Sequence, residues 1–237
     1  VDDLYSLTRL ESGAFAHCAS LISVDWSDKL TAIGDNAFID CKLLVSLGDL
    51  SSVTAIEHFA FAGCSSLERL EHLDNLVSLG EGVFGYGSHY TGCISLKSIG
   101  DMPKLESMEQ KCFMGCTALE TVGDLSSLKE IPYEAFDGCT SLVSIGDLSN
   151  VTIIGSYGFN QCKKLTSIPN LGSLESVNQS AFSGCESLAL LGNLRNLTSF
   201  GYLPFYNCPN LVLEVLPDSA AEQYAKNYSM RYTYITE

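Results

Sequence analysis

Four aspartates share one position of a sequence that repeats along the chain, and their spacing suggests chemistry. They are Asp49, Asp101, Asp124 and Asp147, and Asn170 and Asn193 continue the column. Stacked carboxylates repel unless a cation neutralises them, so one interpretation is a calcium strip on Asp101, Asp124 and Asp147. The alternative is a turn, because Asp and Asn after Gly accept hydrogen bonds from nearby backbone amides. A calcium site needs several oxygen ligands around one ion, whereas this column provides only one carboxylate per repeat. The turn is therefore the favoured interpretation, and we expect no bound metal.

A second column is a row of small residues, mostly Ser, that is interrupted once by strongly polar side chains. The interruption consists of Arg69, Glu71 and His72 in the third repeat. A smooth row of serines suits a sugar chain or an extended peptide, but it also suits a tightly curved inner surface with no ligand. Specific binding usually depends on a few anchors such as Arg and aromatic residues. We therefore expect partner binding near Arg69, Glu71 and His72.

The next repeat contains six additional residues, 85–90, which break the period. Tyr86, His89 and Tyr90 in this insertion offer aromatic contact area at low entropic cost. Insertions in repeat proteins map to loops and often bind partners. The alternative is a tolerated insertion with no role. We include Tyr86, His89 and Tyr90 in the predicted binding region.

The sequence contains no recognisable catalytic constellation. The G-x-S-x-G, H-E-x-x-H and C-x-x-C motifs do not occur, and the four histidines fall at four different repeat positions. We therefore expect neither an enzyme nor a bound cofactor. A hydrolase acting on glycans is the least favoured alternative, with Asp49, Glu71 and Asp101 as its candidate carboxylates.

The elements that position these residues form a nine-fold repeat. Phe recurs at positions 15, 38, 61, 84, 113, 136, 159, 182 and 205, and Cys at 18, 41, 64, 93, 116, 139, 162, 185 and 208. The step between cysteines is 23 residues except from Cys64 to Cys93, where the insertion makes it 29. A fixed period of this length is typical of a solenoid, whose stacked repeats share one continuous core.

The sixth repeat predicts the course of one coil. Its apolar residues are separated mainly by three-residue steps, which fit neither a long helix nor a strand alternation. A short strand near Leu142 to Ile145 is expected to pair in parallel with the next repeat, with Ile154 to Cys162 forming the opposite wall as a turn or a short 3₁₀- or α-like segment. The Cys column then points inward as structural free thiols, because Cys is a common buried residue and parallel neighbours rarely suit a disulfide.

The L-x-x-L and x-x-A-F-x-G-C-x-x-L patterns resemble the BspA-like (Treponema-type) leucine-rich repeat family. The match is clearest in the segments that begin at Ala14, Ala135 and Ala181. The resemblance implies an α/β solenoid, curved and right-handed, with short parallel strands on its concave side. It also implies a surface-exposed or secreted protein of a host-associated bacterium or a protist, used in adhesion.

The sequence predicts two regions. Residues 1–216 are expected to form the solenoid of nine repeats, and residues 217–237 a C-terminal cap. The cap is expected to be a short helix from Pro217 to Tyr228 followed by a strand from Arg231 to Ile235. Terminal caps close the exposed core of a solenoid.

Composition limits the partners. The net charge of −15 argues against nucleic acid and anionic membrane surfaces. No apolar stretch is long enough to span a membrane. The chain starts inside a repeat, so we expect that a leader has been trimmed. The leading hypothesis is a non-catalytic cell-surface or secreted protein that binds a host or neighbouring-cell protein or glycan, and its main rival is a structural spacer.

Overall fold

The computed structural model describes residues 4–85 and 92–236 of the chain. Within them the chain winds into a parallel β-solenoid of about ten turns. Helix is limited to one 3₁₀ turn, Leu4–Ser6, and one α-helix, α1 (Ala220–Asn227). The α/β class predicted from the sequence therefore overstates the helical content. Each wall of a coil is only a few residues long, and so short a segment cannot offset the cost of helix nucleation.

Two ladders of two-residue strands run along the solenoid, and each coil contributes one strand to each ladder. The odd ladder consists of β1 (Arg9–Leu10), β3 (Ala32–Ile33), β5 (Ala55–Ile56), β7 (Ser78–Leu79), β9 (Ser107–Met108), β11 (Glu130–Ile131), β13 (Ile153–Ile154), β15 (Ser176–Val177) and β17 (Ser199–Phe200). The even ladder consists of β2 (Ser23–Val24), β4 (Ser46–Leu47), β6 (Arg69–Leu70), β8 (Ser98–Ile99), β10 (Thr121–Val122), β12 (Ser144–Ile145), β14 (Ser167–Ile168), β16 (Leu190–Leu191) and β18 (Val212–Val215).

The even ladder confirms the strand predicted near Leu142 to Ile145. The odd ladder corrects the expectation of a turn from Ile154 onward, because Ile153–Ile154 is a strand and the turn starts only after it. In both ladders the second residue of a strand usually points into the core while the first is more exposed. Two residues are too few for strand alternation to be recognised in the sequence.

Proline interrupts each ladder once. The residue after a strand normally donates to the preceding coil, as Gly155 N–H does to the Ile131 carbonyl at 2.7 Å. Pro132 and Pro169 occupy this position after β11 and β14, and proline has no N–H to donate. Accordingly β11 does not pair with β9, and β14 does not pair with β12.

The Phe column forms the centre of the core. Phe61, Phe136 and Phe182 are completely buried, which confirms that this column is interior. Successive rings stack with centroids 5.0 to 6.0 Å apart along the whole column. The spacing follows from the distance between parallel strands, about 4.8 Å.

The Cys column lies beside the Phe column, and all ten cysteines are free thiols. Each column thiol within the stack donates to the carbonyl of the Phe in the preceding coil. For example, Cys139 Sγ lies 3.1 Å from the Phe113 carbonyl oxygen, and Cys162 Sγ lies 3.2 Å from that of Phe136. Burial raises the pKa of the Cys139 and Cys162 thiols well above the usual value, so they stay protonated and can donate.

Two backbone positions in each coil adopt a left-handed conformation. One is the residue before the Cys, as expected from the sequence. It is glycine in some coils, such as Gly138 (φ 74°), and a residue with a side chain in others, such as Gln161 (φ 59°). The other lies on the turn two residues before the Phe and was not expected, because Lys111, Glu134 and Tyr157 occupy it instead of glycine. Its N–H donates to the following coil, as Glu134 does to the Ser156 carbonyl at 3.0 Å, and this bond offsets the strain of the conformation.

The C-terminal segment continues the even ladder. The strand β19 (Arg231–Tyr234) pairs in parallel with β18 over four residues. Between them α1 starts after Ser219, whose hydroxyl accepts a hydrogen bond from Glu222 N–H at 3.1 Å. Ala221 and Ala225 of α1 are buried against the core. No helix in the described residues is long and apolar enough to cross a membrane.

One carboxylate is buried on the turn wall. Asp137 is 6% exposed and accepts a hydrogen bond from Asn160 Nδ2 at 2.8 Å. Burial raises the pKa of Asp137 to about 6, although the hydrogen bond from Asn160 opposes the shift. The ionised form therefore destabilises the fold at neutral pH.

We predict that Asp137→Asn stabilises the protein at neutral pH. Because the folded pKa lies above the unfolded value of about 4, the unsubstituted protein loses stability as pH rises from about 4 to about 6. The variant keeps an acceptor for Asn160 and lacks the charge, so its free energy of unfolding is expected to be about 1 to 3 kcal/mol higher at pH 7.5. Urea unfolding of both proteins at pH 4.5 and 7.5 measures the difference, and an equal difference at both pH values would contradict the assignment.

We also predict that only two thiols react in the native protein. Cys18 and Cys208 lie at the ends of the column and are partly exposed, whereas the other eight cysteines are buried. A chromogenic thiol reagent is expected to titrate about two groups quickly and all ten after unfolding without reductant. A total well below ten in the unfolded protein would instead indicate disulfides.

Candidate binding cleft beside the third coil

Arg69, Glu71 and His72 lie together at the strand β6 and the turn that follows it. Arg69 is the first residue of the strand and is exposed, and His72 adopts a left-handed conformation with φ 60°. The structure therefore brings these three predicted residues to one place on the even ladder.

Glu71 occupies a position at which neighbouring coils usually approach closely. In five other coils this residue is glycine, and a Cβ on Gly123 would lie 2.5 Å from Asp101 Oδ1. Glycine at this position also donates to the preceding coil, as Gly100 N–H does to the Leu70 carbonyl at 2.9 Å. Glu71 carries a Cβ and makes no such bond, and β6 does not pair with β4. The even ladder is therefore also open between β4 and β6, at a position where Glu71 stands in place of glycine.

A cleft of about 200 Å³ fills the opening between these two coils. It is lined by Val45, Ser46, Leu47, Gly48 and Leu50 on one side and by Arg69, Leu70, Glu71 and His72 on the other. A shallower depression continues from His72 to Asp49 and Ser51. Val45, 45% exposed, provides an apolar wall that sequence reasoning missed, since a single valine in a Ser-rich row carries no signal of its own.

The charges in the cleft are weakly paired. Arg69 Nη1 lies 3.7 Å from Glu71 Oε1, and both side chains are more than half exposed. An exposed pair at this distance contributes little to stability. The Arg69 guanidinium and the Glu71 carboxylate therefore remain able to bind an external partner.

Tyr86, His89 and Tyr90 lie outside the described residues. The residues that flank the insertion show that the coil keeps its register, because Cys93 N–H donates to the Phe84 carbonyl at 2.8 Å. Cys116 and Phe113 make the equivalent bond at 3.1 Å in the next coil, without an insertion. The six additional residues thus leave the core unchanged.

The aspartate column forms turns. Asp124 Oδ1 accepts from Ser126 N–H at 2.8 Å, and Asp147 Oδ1 from Ser149 N–H at 2.8 Å. Asp101 Oδ1 accepts from the backbone N–H of Asp124 at 2.9 Å, which links two coils. No cluster of three or more metal-binding side chains occurs in residues 4–85 and 92–236. The geometry thus matches the turn interpretation of Asp101, Asp124 and Asp147.

The candidate catalytic carboxylates do not form an acid–base pair. The backbone and hydroxyl of Ser51 donate to Asp49 and lower its pKa, so this carboxylate stays ionised. Asp101 accepts a hydrogen bond from the Asp124 amide, and Glu71 is only weakly paired with Arg69.

A second cavity, of about 350 Å³, lies between the last coil and the C-terminal segment. Its lining includes Leu203, Tyr206, Cys208, Tyr224 and Tyr228. Sequence reasoning missed this cavity, because only the fold brings residues 203–211 against residues 224–231.

The repeat signature described as BspA type Leucine rich repeat region matches residues 4–91 and 86–212, in six copies. No curated protein matches the sequence significantly. This repeat family is generally a non-catalytic binding scaffold.

The sequence and fold are similar to those of a solved bacterial leucine-rich repeat protein, and two further solved structures match with lower TM-scores. A leucine-rich repeat protein from Bacteroides ovatus is 27% identical with a TM-score of 0.79, and the match covers 98% of this chain but 58% of that protein. The Treponema pallidum leucine-rich repeat protein is 24% identical over 100% of this chain and 83% of its own, with a TM-score of 0.39. A leucine-rich cell surface protein from Faecalibacterium prausnitzii is 20% identical over 92% and 85%, with a TM-score of 0.34. The repeat signature covers most of the sequence, and the chain belongs to the BspA-type leucine-rich repeat family.

Proposed function

We propose that the protein is a non-catalytic binding or adhesion protein, exposed at the cell surface or secreted, which recognises a host or neighbouring-cell protein or glycan. The observation that carries this proposal is the cleft at Glu71, where the even ladder is interrupted and Arg69 and His72 are exposed beside Val45. An apolar wall with an unengaged guanidinium is the combination found in binding hot spots. Family membership supports a binding role in general, and the surface location rests on the family resemblance.

We further propose that residues 1–216 form one right-handed, curved solenoid with the even ladder on its concave side, and that residues 217–237 close its end. The pairing of β19 with β18 and the burial of Ala221 and Ala225 support the closing role. In this arrangement the cleft lies on the concave side. Tyr86, His89 and Tyr90 belong to the adjacent unit and are included in the proposed binding region.

Two rival functions lead to different results. A structural spacer would bind neither glycans on an array nor surface proteins in a pull-down. A glycan-active hydrolase would release reducing sugar, and Glu71→Gln would abolish that turnover. The contacts of Asp49 and Asp101 favour neither rival over binding.

We predict that closing the cleft, or removing its cationic side chain, abolishes partner binding without unfolding the protein. Glu71→Gly restores the residue type of the other coils and is expected to restore the bond to the Leu47 carbonyl. Its stability should change by less than about 1 kcal/mol, because the hydrogen bond offsets the entropy cost of glycine. Arg69→Ala removes the cationic anchor. Both variants are expected to lower the affinity for a glycan or protein identified by array or pull-down by about tenfold or more.

The matched control is Arg195→Ala, which removes an exposed arginine whose Nε contacts Asn193 on the same side of a later coil. This control should bind like the unsubstituted protein. Deletion of residues 85–90 tests the insertion separately and should leave thermal unfolding unchanged. If partner binding survives Arg69→Ala, Glu71→Gly and this deletion, the site lies elsewhere and the proposal fails.

A further inference from the structure

The cleft at Glu71 is flanked by backbone groups that lack their usual partners. In a regular interval of the even ladder, the residue before each strand donates to the preceding coil, as Lys97 N–H does to the Glu68 carbonyl at 2.7 Å. The residue after the strand donates as well, as Gly100 N–H does to the Leu70 carbonyl at 2.9 Å. Between β4 and β6 neither bond forms within the described residues. The groups left without a backbone partner there are the N–H groups of Glu68 and Glu71 and the carbonyls of Val45 and Leu47.

The opening is confined to the even ladder. On the turn wall the same two coils stay bonded, since Phe38 N–H donates to the Ala60 carbonyl at 2.8 Å and the rings of Phe38 and Phe61 stack with centroids 5.3 Å apart. In the odd ladder β5 pairs with both β3 and β7. The rest of the two coils therefore holds the free groups in position, and a pre-ordered site binds at a lower entropic cost than a mobile one.

The interval at Pro169, where the even ladder is also open, differs in two ways. Thr166 N–H still donates to the Val143 carbonyl there, at 3.3 Å, although β14 does not pair with β12. The cavity at that interval, of about 170 Å³, is lined by one charged residue, Asp147. Of the two intervals, the one at Glu71 thus combines free backbone groups on both strands with side chains of both charges.

Free N–H and carbonyl groups along a strand are complementary to a polypeptide main chain. Every residue of an extended peptide except proline offers one donor and one acceptor. Strand addition at an open sheet edge uses these groups for affinity and the alternate side chains for specificity. A sugar offers hydroxyl groups, each of which can donate and accept, so it has no matching order of donors and acceptors. The free edge of β6 therefore favours an extended peptide over a glycan.

The side chains around the cleft select the sequence of such a peptide. Successive residues of a strand point to opposite faces, and in this coil Arg69 is exposed, Leu70 is buried and Glu71 is exposed. A peptide residue beside Leu70 points inward, into the cleft of about 200 Å³ that Leu47 and Leu50 also line. An aliphatic side chain suits this position. The residues before and after it lie beside Arg69 and Glu71, where opposite charges stabilise a cross-strand pair.

We propose that the cleft binds an extended peptide segment that pairs in parallel with the free edge of β6 and has the order acidic, aliphatic, basic. The acidic side chain meets Arg69, the aliphatic one enters the cleft and the basic one meets Glu71. The direction is parallel because the free N–H groups of Glu68 and Glu71 occupy the positions of Lys97 and Gly100, which bond to a parallel strand. This site is the cleft of the proposed function, on which the assignment of a peptide rests.

The test is a titration of the ¹⁵N-labelled protein with the peptide Ac-Ser-Glu-Val-Lys-Ser-NH₂, followed by heteronuclear NMR. The amide signals of Glu68 and Glu71 are expected to shift. The peptide with the reverse order, Ac-Ser-Lys-Val-Glu-Ser-NH₂, should bind about tenfold more weakly, because it places like charges opposite each other. Absence of shifts at about 1 mM of the first peptide overturns the proposal. Equal affinity of the two peptides overturns the parallel order.

Methylation of single peptide amides tests the main-chain pairing. Adjacent amides of a strand point to opposite edges, so either the valine or the lysine amide of the peptide faces β6. N-methylation of at least one of them is expected to lower the affinity by about tenfold, since it removes a donor and leaves its acceptor unpaired. If both methylated peptides bind like the parent, side chains alone hold the peptide and strand pairing is wrong.

Reversal of one charge tests the side-chain assignment. Arg69→Glu should weaken binding of Ac-Ser-Glu-Val-Lys-Ser-NH₂ by about tenfold, and Ac-Ser-Lys-Val-Lys-Ser-NH₂ should recover the affinity for this variant. Glu71→Gly, which closes the cleft, should abolish the shifts with either peptide. The matched control Arg195→Ala should bind like the unsubstituted protein. Loss without recovery in Arg69→Glu, with unchanged thermal unfolding, would overturn the pairing of the acidic residue with Arg69.

Binding of glycans separates the peptide assignment from the proposed function. If a glycan identified by array depends on Arg69 while the peptides cause no shifts, the peptide assignment is wrong and the cleft remains a binding site. If the affinity of every partner is independent of both Arg69 and Glu71, the cleft binds nothing and both proposals fail.

Discussion

The hydrogen-bonded register between successive coils is the constraint on which the whole molecule depends. Each coil binds the next through strand ladders, turn amides and thiols such as Cys139, all displaced by one repeat. The same displacement stacks the Phe rings 5.0 to 6.0 Å apart. Because a coil cannot bury its apolar face alone, this stacking supplies the core as well as the shape. The position of a residue within the period therefore decides whether it is inside or outside.

Departures from the register are few, and each has an identifiable chemical cause. Pro132 and Pro169 interrupt a ladder because proline lacks an N–H. The even ladder is also interrupted at Glu71, which stands where five other coils have glycine. The insertion after Phe84 leaves the register intact, since the Phe84–Cys93 bond closes the coil as in other repeats. Only the departure at Glu71 also gathers opposite charges and an apolar wall, and this combination distinguishes it from the proline breaks.

The same side-chain type has different consequences at different positions of the period. Asp124 lies on the exposed side of a turn, where the Ser126 amide and hydroxyl satisfy its carboxylate. Asp137 lies on the turn wall where the chain is closely packed, and burial raises its pKa to about 6. Tyr133 on the turn wall is exposed, whereas Phe136, three residues later in the same coil, is completely buried. Surface variation is thus concentrated where the core does not constrain the side chain.

The sequence by itself determined the solenoid, the even-ladder strands, the interior Phe and Cys columns and the position of Arg69, Glu71 and His72, because a repeated pattern reports which residues face inward. It did not determine the odd ladder, since the segment that starts at Ile154 was assigned to a turn, nor the second left-handed position, since only Gly13 and Gly82 mark it with glycine. Only the tertiary structure decided that Val45 lines a cleft with Arg69, that the rings of Tyr133 and Tyr157 meet edge to face, and that residues 203–211 enclose a cavity with residues 224–231. Those contacts join segments far apart in the sequence, and their distances depend on the spacing and register of the stacked coils.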